Sequence, residues 1–102
     1  MHRRLKRLMF EGGFGARDEY ETPLRGYRSG VTAELDDGSR YRLTFYDPVR
    51  LAQVVADEAG VGTTFFTEPG LIILPQVTRE NMEKAATELC AQGFYDYLKP
   101  IV

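Results

Sequence analysis

The chain has 102 residues, 43% hydrophobic and 27% charged, the proportions of one ordinary domain (residues 1–102) that buries enough surface to fold without metals or disulfides. No run approaches the roughly 18 apolar residues of a membrane span, and the lone cysteine, Cys90, excludes an intrachain disulfide and a cysteine metal cluster. Net charge is −2, but four of the 13 basic residues fall within the first seven positions, leaving 9 against 15 acidic ones, a balance that argues against a bulk nucleic-acid binder.

Arg3, Arg4, Lys6 and Arg7 resemble the basic start of an export signal, but Leu8-Met9-Phe10 runs into Glu11-Gly12 with no apolar stretch behind it. The expectation is a cytoplasmic protein with no membrane association. Leu5, Leu8 and Met9 fit one amphipathic turn, and Gly12-Gly13-Phe14-Gly15 reads as a flexible loop, so residues 1–22 read as an arm. The glycines lack the lysine and flanking elements of a phosphate-binding loop, and Asp18, Glu19 and Glu21 lack calcium-loop spacing. Both read as solvated loop, with Thr22 to Gly30 leading into the first strand.

Between Ser29 and Tyr46, Val31, Ala33 and Leu35 alternate with polar residues, as do Tyr41, Leu43 and Phe45 after Asp36-Asp37-Gly38. This predicts a β-hairpin. A three-residue loop with Gly38 left-handed pairs Ala33 with Tyr41 and Val31 with Leu43, keeping apolar side chains on one face. Asp47-Pro48 then caps a helix, since aspartate accepts from orphan N–H groups and proline suits the first helical position. Leu51, Val54, Val55 and Ala59 follow at helical spacing as far as Gly60.

Thr63 to Thr67 reads as a strand, Glu68-Pro69-Gly70 as a turn and Leu71 to Leu74 as an apolar strand. Thr78 caps a last helix with Met82, Ala85, Ala86, Leu89 and Cys90 on one stripe, stopped near Gly93. The expected fold is therefore α+β: a two-layer sandwich on a ββα-ββα plan, mainly antiparallel, with both helices on one face. Phe94, Tyr95, Tyr97 and Leu98 are expected to seal its core.

Leu71-Ile72-Ile73-Leu74 is apolar on both faces, as are Phe65 and Phe66 before it. A sheet covered on one side only should alternate, so a second cover is needed: either the N-terminal segment, through Leu8, Phe10 or Phe14, or another subunit. The candidate interface is Phe65, Phe66, Leu71, Ile72, Ile73 and Leu74, and the leading expectation is a small non-catalytic interaction module, homodimeric, with room for a further protein partner.

Two alternatives remain open. One is a nucleic-acid accessory protein using Arg3, Arg4, Lys6 and Arg7 with a sheet face of Arg28, Arg40, Arg42 and Tyr46, although Glu34 sits among those arginines. The other is a small enzyme or ligand-binding protein with a pocket between subunits. His2 lies at a terminus and Cys90 on an apolar stripe, so no catalytic, metal or cofactor residue is assigned.

Overall fold

The computed structural model describes residues 3–101; His2 lies outside them. The order is β1 (Leu5–Phe10), α1 (Ala16–Arg25), β2 (Tyr27–Leu35), β3 (Arg40–Tyr46), α2 (Pro48–Gly60), β4 (Leu71–Ile73) and α3 (Arg79–Ala91), followed by a 3₁₀ turn at Phe94–Tyr97. The strands form one mixed sheet in the order β1-β2-β3-β4, antiparallel except for the parallel pair β3–β4.

The β2–β3 hairpin has the register that alternation demands, with Ala33 opposite Tyr41 and Val31 opposite Leu43. Gly38 takes a left-handed φ of 86° and its N–H bonds to Leu35 O. Asp47 accepts from Arg50 N at 2.7 Å and Thr78 from Asn81 N at 3.1 Å, so both expected caps form. Val31, Ala33, Leu35, Tyr41, Leu43 and Phe45 cover one sheet face and meet Met82, Ala86, Val77 and Tyr95 in a single core. Of the C-terminal aromatics Tyr95 seals that core, while Tyr97 is exposed.

The ββα-ββα plan is not what forms. Thr63 to Thr67 is not a strand, and β4 lies parallel to β3, reached through α2 as a crossover. The free edge of β3 accepts β4 directly, which buries Ile72 and Leu74 in the core.

Nor do both helices share a face. No α2 side chain belongs to the core or packs against it. The helix and the segment after it instead touch the opposite face, through Arg50 over the Tyr27 ring and Phe66 against Tyr46.

Among the described residues of the first 22, one strand and most of a helix form. Leu5–Phe10 is an edge strand rather than a helical turn, because its backbone pairs with the otherwise open edge of β2. Leu8, Phe10 and Phe14 pack on the core face, so they leave the second sheet face uncovered. Ala16–Arg25 is a helix held by local polar bonds: Asp18 accepts from Gly15 N at 2.9 Å, and Glu21 bridges Arg17 and Arg25, both at 2.7 Å.

Arg28 locks this region. The sheet register shifts between Arg28 and Val31, where Gly30 has φ 68°, and the extra residue turns Arg28 onto the face opposite the one alternation predicts. There it lies over the Phe10 and Phe14 rings, donates to the Glu11 and Gly13 carbonyls at 3.0 and 2.9 Å, and pairs with Asp18. Arg28→Ala is expected to lower the unfolding free energy by about 2 kcal/mol, and Arg28→Lys to recover little, since a compact ammonium cannot reach the two carbonyls and Asp18 from separate nitrogens while lying flat over the Phe10 and Phe14 rings. Urea unfolding of the two variants measures this.

Candidate interaction surface

Tyr46 is the centre of the second sheet face. Its ring meets Tyr27 at 5.3 Å and Phe66 edge-on at 5.7 Å, and its hydroxyl donates to Glu68 at 2.7 Å. Burial raises the phenol pKa, so the hydroxyl stays a neutral donor. It is 3% exposed and does not form part of an open anion-binding face. Ile73 pairs with Tyr46 across the β3–β4 ladder and shares its face, yet it is 52% exposed.

The proposed interface residues therefore separate. Ile72 and Leu74 point into the core and present nothing outward, because even-numbered positions of β4 face the core side of the sheet. Leu71 and Phe66 are half-buried. Phe65, at 70% exposure, and Ile73 stand open.

Further apolar surface lies on α2. None of its 13 residues is buried. Leu51, Val54 and Glu58 are half-covered, whereas Val49 (68% exposed), Ala52, Val55, Ala56 and Ala59 face solvent, followed by exposed Val61. Only Arg50, Gln53, Asp57 and Glu58 interrupt the apolar composition. A helix apolar around most of its circumference is normally enclosed, and that pattern is the sequence signal by which this surface, absent from the predicted interface, could have been found.

Most of the proposed basic residues are engaged within the chain. Arg3 donates to Tyr41 Oη at 2.7 Å, Ser39 Oγ at 3.1 Å and Asp96 at 2.6 Å, tying the start of β1 to the hairpin and the 3₁₀ turn. Arg7 and Arg40 flank Glu34 at 2.6 and 3.6 Å, and Arg7 above all holds the Glu34 carboxyl below its ordinary pKa. Arg28 is on the other face, as described. Arg42 remains exposed, beside Arg40, Met9 and Thr32 at a shallow depression of about 410 Å³. Arg4 and Lys6 are exposed on β1.

Among the described residues no group of three or more histidine, cysteine or acidic side chains is placed to hold a metal ion, and no helix is long and apolar enough to cross a membrane. The Cys90 thiol donates to Arg3 O at 3.3 Å, and burial raises its pKa, which suppresses the nucleophilic thiolate. Asp18 and Glu21 are spent on α1 and its arginine partners. Compared with protein-family models, curated proteins and solved structures, the chain matches none of them.

Proposed function

We infer that the domain is a non-catalytic interaction module that forms a homodimer through α2, with Val61, Phe65 and Ile73 at the margin of the contact. The observation that carries this reading is a 13-residue helix without a buried residue. An isolated helix of that length is marginal in water, and packing normally supplies its stability.

A second copy is favoured by the charges. Arg50 stands near the N-terminus of α2, with Asp57 and Glu58 near its C-terminus. This is the unfavourable direction for the helix dipole. Neither Arg50 nor Asp57 has an ion-pair partner among the described residues.

An antiparallel copy reverses the disadvantage. Val49, Ala52, Ala56 and Ala59 recur at spacings of three and four residues, and Arg50 and Asp57 lie two turns apart on one side of the helix, beyond Gln53 at the edge of that stripe. A two-fold axis at the level of Val54 sets Ala52 against Ala56 and Val49 against Ala59, and brings each Arg50 level with the Asp57-Glu58 end of the other helix. Small side chains let the two helices approach closely.

Sedimentation velocity tests the reading. The chain is expected to sediment as a dimer, and Ala56→Glu as a folded monomer. Arg50→Asp should weaken association, and Arg50→Asp with Asp57→Arg should restore it. A wild-type monomer across the micromolar range, or a dimer indifferent to Ala56→Glu, sinks the proposal.

A further inference from the structure

We propose that the outer edge of β1 takes up an extended acidic segment of a partner protein as a fifth strand, seated in the groove between β1 and α3. This site is at the opposite side of the sheet from β4 and does not depend on the α2 contact.

The backbone of β1 is half unused. The Glu11 N–H bonds to Gly30 O at 2.9 Å, and antiparallel alternation then turns Met9 and Arg7 toward β2 and Leu8 away from it. Past the register shift between Leu5 and Arg7, Asp36 N donates to Arg4 O at 2.9 Å, which leaves Leu5 facing outward. The peptide groups of Leu5 and Leu8 are thus directed where an added strand would lie.

Helix α3 runs alongside in the opposite direction to β1. Arg79 at its start lies 5.9 Å from the Phe10 ring, and Cys90 near its end reaches Arg3 O. At the Cys90 end, beside the start of β1, is a groove of about 510 Å³ lined by Arg3, Arg4, Leu5, Thr87, Cys90 and Ala91. Thr87 and Ala91 are exposed and small, so a strand roughly 4.8 Å beyond β1 can rest its inward side chains on them.

Charge selects the occupant. Arg4 and Lys6 are exposed and have no ion-pair partner among the described residues. The remainder of the chain, with 9 basic against 15 acidic residues, repels an acidic segment, so this edge is where such a segment is drawn. A second copy of β1 would set Lys6 and Arg7 against their own kind, and lysine on an edge strand opposes self-pairing. The fitting partner alternates acidic with small apolar residues.

The test uses the full chain and a fluorescein-labelled peptide of about eight residues, alternating valine and glutamate, enough to span β1. Its valine–lysine counterpart and a version N-methylated at alternate residues are the controls, read by fluorescence anisotropy. The acidic peptide is expected to bind saturably, roughly tenfold or more tighter than the lysine peptide, with affinity falling as salt rises. Arg4→Glu with Lys6→Glu should remove that preference with the melting temperature unchanged, and Ala56→Glu should leave it intact. Bound peptide should slow amide exchange at Leu5 and Leu8, and N-methylation should abolish binding to the unaltered protein. Absence of saturable binding, equal binding of the two charged peptides, undiminished binding of the N-methylated one, or exchange protection confined to other strands overturns the proposal.

Discussion

Replacing Tyr95 by alanine is expected to lower the unfolding free energy by about 3–5 kcal/mol, the cost of deleting a large aromatic side chain from a packed interior. Tyr95 is 1% exposed and joins the C-terminal turn to the sheet and to α3 at once. Its ring lies 5.2 Å from Tyr41 and 5.5 Å from Phe94, while its hydroxyl donates to Ala86 O at 3.0 Å. Total stabilities of domains are about 5–15 kcal/mol, so the variant should be partly unfolded near its melting range under conditions where the parent is fully native. Tyr95→Phe separates the two contributions. It keeps the packing and loses one neutral hydrogen bond, and it is expected to cost about 1 kcal/mol. Urea titrations followed by circular dichroism measure both; similar losses in the two variants would show that the hydrogen bond, not the packing, dominates.

Gly70→Ala is expected to cost about 3 kcal/mol or more and to detach β4. Gly70 has a left-handed φ of 63°, and a Cβ there would collide with the Arg42 carbonyl oxygen, which is backbone and held in the sheet. The same residue accepts the Thr44 N–H at 3.2 Å, so its displacement removes a bond of the β3–β4 ladder. The strained φ and the steric overlap add. Gly38→Ala is the control: φ is again positive, at 86°, but nothing stands within 4 Å of the new atom, and roughly 1 kcal/mol is expected. Loss of amide protection along β3 in Gly70→Ala, with native protection retained between β1 and β2, would locate the damage at this edge.

The two values bracket what local sequence conveys. The hairpin from Ser29 to Tyr46 was readable because alternation, turn chemistry and register agree, and the caps at Asp47 and Thr78 were readable because capping needs only adjacent residues. The position of Arg28 was not, since one extra residue before Val31 inverts every side chain preceding it. Helix α1 was hidden by Pro23 and by a composition in which Asp18, Glu21, Arg17 and Arg25 do the work usually done by apolar spacing. The parallel placement of β4 was hidden because Leu71 to Ile73 reads the same in either strand direction, and only the free edge of β3 decides. Of the candidate surface, Phe65 and Ile73 were identifiable from two-sided apolar character, whereas on α2 helical spacing alone assigned Val55 and Ala59 to the core side together with Leu51 and Val54, and the structure leaves both exposed.

Pro69 and Pro75 stand on either side of β4. The Thr44–Gly70 and Leu74–Tyr46 backbone bonds place even-numbered residues toward β3, so both prolines fall at positions whose N–H would otherwise point outward. The exposed rim of β4 is reduced to the donors of Leu71 and Ile73, too few to seed continuous pairing with another chain. At the far rim, the cations of β1 oppose stacking of like upon like. Copies of this domain therefore have no sheet edge through which to grow into a filament, and crowding them together should yield closed, countable assemblies instead of open-ended fibres.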